Sequence, residues 1–127
     1  MKASKQTVSK ARTRAWKLFS KYIRSKDSFN GYNRCVTCCE TYPIGELNAG
    51  HYIHGKTKRS YFEPRNVHPQ CPRCNLYLNG NPTSYALYLE AKYGIGILQQ
   101  LHEVNLNTKP WKIQELNDIH DFYKELL

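Results

Sequence analysis

Two C-x-x-C pairs, Cys35/Cys38 and Cys71/Cys74, constrain this chain more than any other feature. Each short knuckle turns two sulfurs toward one point, so two knuckles joined by a loop can close a single tetrahedral thiolate centre, the donor set that suits Zn²⁺. The loop between them carries Asn-Ala-Gly-His-Tyr at 48–52 and is then fixed at both ends. A chain of 127 residues with 40% hydrophobic content buries only a modest core, and a structural metal adds stability that such a core lacks. Five cysteines is an odd count. With the paired spacing it reads as zinc in a reducing compartment rather than as disulfides. Cys39 adjoins Cys38, but the two-residue gap makes Cys38 the ligand and leaves Cys39 a spare thiol in a tight turn.

The net charge of +9 is unevenly placed. Residues 1–34 hold ten Lys and Arg against the single Asp27, whereas residues 35–127 hold nine basic and nine acidic groups. A second, smaller bias surrounds the cysteine-framed loop, where Lys56, Lys58, Arg59, Arg65 and Arg73 face only Glu63. Nucleic acid is the partner such a distribution fits. No apolar run is long enough to span a membrane, and the basic N-terminus lacks the apolar stretch of a secretory signal. The expectation is a cytosolic protein with no membrane partner.

From Gln6 to Asp27 the pattern predicts an amphipathic helix, with Val8, Ala11, Ala15, Leu18, Phe19, Tyr22 and Ile23 on the apolar face. Lys10, Arg14, Lys17, Lys21 and Arg24 fall in a stripe about 80° wide on the opposite side. One sign of charge with no compensating carboxylate points to phosphate contact. Leu47–Ile53 and Asn66–Gln70 read as short strands, and a short helix should start near Pro72 and end at Gly80. Asn81-Pro82 reads as an N-cap and N1 pair opening a helix through Tyr93. Further helices are expected over Ile97–Val104 and Trp111–Leu127, the last with Ile113, Leu116, Ile119, Phe122, Tyr123 and Leu126 inward. The predicted architecture is α+β and a single domain: a basic N-terminal helix in 1–30, a zinc-bound core in 31–81 and a helical C-terminal part in 82–127. The acidic C-terminal helices are expected to serve packing or dimerisation.

The strand, loop, strand, helix core between the knuckles is the ββα-metal arrangement. Its order, His51, then Asn66, then Asn75 directly after a C-x-x-C, resembles the HNH nuclease signature in an H-N-N form. Phosphodiester hydrolysis needs a base that is free near neutral pH, which suits His51. It also needs a divalent cation to stabilise charge on the phosphate and the departing oxygen. An amide oxygen at Asn75 is a hard ligand for Mg²⁺ or Mn²⁺, and Asn66 would hold the His51 loop through hydrogen bonds. The expected DNA contacts are the helix stripe and the loop residues Lys56, Lys58 and Arg59.

The strings A-W-K-L-F-S-K-Y-I-R-S-K-D at 15–27, C-V-T-C at 35–38, A-G-H-Y at 49–52, N-V-H-P-Q-C-P-R-C-N at 66–75 and the G-N at 80–81 are similar to those of the phage NinG (Rap) recombination endonuclease family. That resemblance runs from about Ala15 to the C-terminal helix. It implies a DNA endonuclease acting on branched recombination intermediates such as Holliday junctions and D-loops, of phage or prophage origin and acting in the bacterial host. Two symmetric cuts in a junction would favour a homodimer. Many HNH enzymes place an acidic metal ligand just before the catalytic His, where this chain has Gly50, so the second ligand is open among Asn48, His54, His68 and Asn79. Two other readings are a non-catalytic zinc-ribbon DNA-binding module and a sequence-specific HNH nuclease of restriction or homing type.

Overall fold

The computed structural model describes residues 5–127; Lys2, part of the basic N-terminal count, lies outside them. Helix α1 (Val8–Ser25) starts where the Thr7 hydroxyl accepts from the Lys10 amide, a side-chain N-cap. Ala11, Ala15, Phe19 and Ile23, spaced by four, are all buried. Ala15 lacks the bulk to hold neighbours away, while Phe19 fills the core between Phe62 and Tyr123, with ring centroids 5.5 and 4.9 Å away. Burial of a side chain such as Phe19 stabilises the fold by about 2–3 kcal/mol.

A small hairpin follows, β1 (Tyr32–Arg34) with β2 (Thr41–Pro43), antiparallel with Arg34 opposite Thr41. It carries the first cysteine knuckle at its tip, closed by Cys35 N–H to Glu40 O at 2.9 Å and Cys39 N–H to Cys35 O at 2.8 Å. Cys39 takes the left-handed conformation (φ +67°) that lets the knuckle turn back, and its thiol is exposed. The second antiparallel pair is β3 (Asn48–His51) with β4 (Val67–Gln70), in the register Asn48–Gln70, Gly50–His68 and His51–Val67. The Val36 amide donates to Pro69 O at 3.0 Å and ties the first knuckle to β4.

After β4 the chain forms a π-helical turn, Arg73–Tyr77, rather than an ordinary helix. It unwinds through Asn79 (φ +51°) and Gly80 (φ +85°) into α2 (Pro82–Tyr93). Asn81 does precede α2, but it sits in the left-handed region and makes no side-chain cap. Its amide instead donates to Cys74 Sγ at 3.7 Å. Helices α2 and α3 (Ile97–Val104) bury Tyr85, Leu89, Ile97 and Leu101 together. Helix α4 (Ile113–Leu126) returns to pack along α1. On α4, Leu116 and Tyr123 are buried, whereas Phe122 and Leu126 are exposed, contrary to the sequence expectation. At 100° per residue Phe122 stands about 120° from Leu116, outside the face that meets α1. Among the described residues no helix is long and apolar enough to cross a membrane.

Candidate active site and metal centre

The two knuckles bring Cys35, Cys38, Cys71 and Cys74 together, with all four sulfurs within 4.8 Å of one another. Cys38 Sγ and Cys71 Sγ are 3.8 Å apart, far beyond a disulfide bond. The spacing matches the edge of a tetrahedron with metal–sulfur bonds of about 2.3 Å, which is about 3.8 Å. Burial would raise the Cys35 thiol, but hydrogen bonds from the Thr37 hydroxyl and from the backbone at Cys71, Cys38 and Thr37 bring its pKa down to about 6. Donors aimed at a sulfur are what a metal thiolate requires. The four cysteines therefore fit a tetrahedral metal ion, and among the described residues they form the only such cluster of His, Cys, Asp and Glu side chains.

His51 ends β3 and is half-buried. Its ring stacks on Trp16 of α1 (centroids 4.9 Å apart, planes 18° apart) and on Tyr61 (4.7 Å, 19°). His51 Nε2 lies 3.0 Å from the Tyr61 carbonyl oxygen, which can only accept, so Nε2 carries the proton and the Nδ1 lone pair is left free. Burial depresses the His51 pKa, the Tyr61 carbonyl works against this, and the nearby His54 adds to the depression. Neither Trp16 nor Tyr61 was singled out from the sequence as a partner of His51. Trp16 lies inside one of the family strings, but nothing in the string says which ring it meets.

Asn66 is buried and fully used. Its Oδ1 accepts from the Ile53 amide (2.9 Å), and its Nδ2 donates to Ile53 O and to Ser60 O (both 3.0 Å). It closes the 53–60 loop that leads from His51 to Tyr61. Asn75 stands in the π-helical turn, half-buried. It lines a cleft of about 440 Å³ with Trp16, Ser20, Arg24, Asn48 and Leu76. Trp16 thus both lines the cleft with Asn75 and stacks on His51.

Of the candidate second ligands, His68 is removed by its surroundings. Tyr85 donates to Gly50 O at 2.6 Å, so its oxygen accepts from His68 Nδ1 (3.1 Å), and His68 Nε2 accepts from Tyr93 (2.9 Å). With both nitrogens used, burial lowers the His68 pKa to about 3, and the residue holds Gly50 in place through Tyr85. Asn79 is exposed in the left-handed turn. Asn48 lines the cleft, and the exposed His54 lies with its ring 6.5 Å from that of His51.

Along α1, Lys10, Arg14, Lys17 and Lys21 are exposed, while Arg24 is half-buried and reaches into the cleft, its Nε donating to Ser20 O and Oγ at 3.2 Å. Arg12, one turn before Trp16, has a buried Nε with no partner among the described residues and bears on Tyr61. Lys56 and Lys58 are exposed. Arg59, expected from the sequence to contact DNA, has most of its guanidinium engaged within the fold. It makes two hydrogen bonds to Glu115 (2.7 and 3.2 Å), donates to Lys109 O and Pro110 O, and lies 4.3 Å over the Trp111 ring. Arg59 clamps the start of α4, with four of its five N–H donors spent on Glu115, Lys109 and Pro110. Its role could not be read from the sequence, since Glu115 is fifty-six residues away.

Fold and site together define a small α+β protein with a tetracysteine cluster able to hold a metal ion and a half-buried His51 imidazole stacked on Trp16 and Tyr61. The sequence profile described as "Bacteriophage Lambda NinG protein" matches residues 1–127, and the chain belongs to that family. It is 30% identical over 109 residues to Protein ninG of Escherichia phage lambda, a match covering 84% of this chain and 50% of that protein. It is 29% identical to Protein ninG of Escherichia phage 933W (84% and 51%) and 28% identical to that of Salmonella phage P22 (84% and 50%). The chain spans about half the length of the curated relatives it matches. No solved structure matches it.

Proposed function

We propose that the chain is an HNH-type endodeoxyribonuclease with a ββα-metal core, a structural Zn²⁺ on Cys35, Cys38, Cys71 and Cys74, and a catalytic Mg²⁺ or Mn²⁺ at Asn75. The observation that carries this reading is the His51 imidazole, its pKa depressed by burial and its Nε2 tied to the Tyr61 carbonyl, one residue from the Gly50 backbone against which the Asn75 carbonyl sits. A divalent cation bound at Asn75 supplies Lewis-acid stabilisation of charge on the phosphate and the departing 3′ oxygen. His51 Nδ1 takes a proton from the attacking water as its oxygen bonds to phosphorus. The P–O3′ bond breaks, and a proton from solvent completes the 3′-hydroxyl opposite a 5′-phosphate. Asn66 is a positioning residue that holds the loop between His51 and Tyr61. Arg24, at the cleft, is placed to contact the phosphate there.

As the family resemblance implies, the proposed substrate is branched DNA such as a Holliday junction or D-loop, cut in the host cytoplasm by a homodimer. The test is incubation of the zinc-loaded protein with junction, supercoiled and linear DNA plus Mg²⁺ or Mn²⁺. Nicks with 5′-phosphate ends, most frequent on junctions, are the expected result. Binding without nicking on any substrate would leave the zinc-ribbon reading instead.

The exposed stripe on α1 is expected to track a DNA backbone. Each neutralised phosphate contact contributes about 0.9 to the slope of log affinity against log salt, so replacing Lys10, Arg14 and Lys17 by Gln should flatten the slope by roughly two to three. The weakening should be alike on different sequences, because phosphates carry no base identity. Replacing Lys112 and Lys124, which lie among carboxylates, should leave the slope nearly unchanged. A parental slope in the triple variant would shift the contact to Lys56 and Lys58.

A further inference from the structure

Gln70 is buried at the end of β4, and its amide orientation is fixed. Nε2 donates to Gly80 O at 2.9 Å and to Thr37 Oγ1 at 3.2 Å. A flipped amide would set two carbonyl oxygens against each other at Gly80, so Oε1 must point the other way, toward Gly50. There Oε1 is buried and accepts no hydrogen bond from any described residue. An orphaned buried carbonyl costs about 1–3 kcal/mol. Its partner in space is Asn75: a Cβ added to Gly50 would collide with Gln70 Oε1 and stand 3.0 Å from Asn75 Oδ1. Two amide oxygens thus converge on one point above Gly50. Gly50 does not have a positive φ, so glycine is needed here for space and not for backbone conformation.

We infer that Gln70 Oε1 is the second protein ligand of the catalytic cation, acting with Asn75 Oδ1. This rests on the nuclease reading above. Carbonyl oxygens are hard donors suited to Mg²⁺ or Mn²⁺, with ligand distances of about 2.1 Å. A bound cation would satisfy an oxygen to which no described residue donates. The role that an acidic residue before the histidine would fill is met from the paired strand instead, and Gly50 is small so that Gln70 can reach across. Both ligands are neutral, so the protein alone should hold the cation weakly and a DNA phosphate should strengthen binding by adding charge.

The test measures Mn²⁺ uptake by the zinc-loaded protein by electron paramagnetic resonance, without DNA and with an uncleavable phosphorothioate duplex. Gln70→Ala and Asn75→Ala should each weaken uptake about tenfold or more, the scale on which even outer-shell losses act. Gly50→Asp combined with Gln70→Ala puts a carboxylate where Oε1 was and should restore uptake. Parental uptake by Gln70→Ala beside loss in Asn75→Ala would overturn the inference and leave the nuclease reading standing. Loss in Asn48→Ala with Gln70→Ala unaffected would do the same and assign the ligand to Asn48. If Gln70→Ala loses zinc or unfolds, the parent decides the matter. On Mg²⁺ addition the ¹³C shifts of the Gln70 and Asn75 side-chain carbonyls should move together along one titration curve, and a stationary Gln70 carbonyl overturns the inference. No Mn²⁺ uptake by the parent, with or without DNA, overturns the inference, and nicking under metal-free conditions would then separately overturn the metal-dependent reading.

Discussion

A His51→Ala variant is expected to lose strand cleavage by about 10²–10⁴-fold while its DNA affinity stays within about threefold of the parent. In the proposed mechanism the imidazole acts on water in the transition state and contributes little to holding DNA in the ground state, so the loss should appear in the single-turnover rate and not in binding. The same residue sets the pH profile. Its pKa is depressed below the ordinary value of about 6.5 by burial against Trp16 and Tyr61, with the Tyr61 carbonyl opposing and His54 lowering it further. A base works only when unprotonated, so the rate should be flat above that value and fall only at lower pH. Zinc content measured at each pH separates this limb from protonation of the cysteines. Cleavage by His51→Ala at the parental rate, in preparations free of other nucleases, would remove the assigned mechanism.

Removal of the structural metal is expected to unfold the core. Zinc binding to four thiolates contributes about 10–16 kcal/mol near neutral pH, against a net stability of about 5–15 kcal/mol for a typical domain. The four sulfurs join the β1–β2 hairpin to the turn after β4, and among the described residues only Leu47 and Tyr42 pack with them in that cluster. Elemental analysis should find one zinc per chain. Chelation, or Cys74→Ala, should abolish the cooperative thermal transition of the 31–81 region and, with it, cleavage. A zinc-free protein, or a Cys74→Ala variant as stable as the parent, would refute the assignment.

The parts of this structure that were legible in the sequence are those encoded by local spacing. The C-x-x-C pairs give the knuckle geometry directly, the four-residue spacing of Ala11, Ala15, Phe19 and Ile23 gives α1, and short strands flank the loop between the knuckles. What escaped is what depends on a distant partner. Arg59 looks like a free loop cation until Glu115 and Trp111 are brought beside it. Gln70 is one of three polar residues on an extended segment, and only the pairing with β3 sets its oxygen over Gly50. Phe122 and Leu126 have the right polarity for an inward face, but the rotation of α4 was fixed by Leu116 and Tyr123 meeting α1. The turn after Cys74 reads as a helix start. Its widening to a π-turn accompanies the Gly80 amide bonding to Cys74 O, a closure that periodicity does not carry.

Helix α1 is at once a pillar of the interior and a wall of the cleft: Phe19 is buried against Tyr123 of α4, and Trp16, one turn earlier, lies flat on His51. The C-terminal helix, to which no step of the proposed reaction is assigned, therefore acts as a backstop for the ring proposed to accept the proton. Loosening at its far end can misalign that ring without disturbing a single residue beside it, so a substitution that looks remote from the cleft can still silence it.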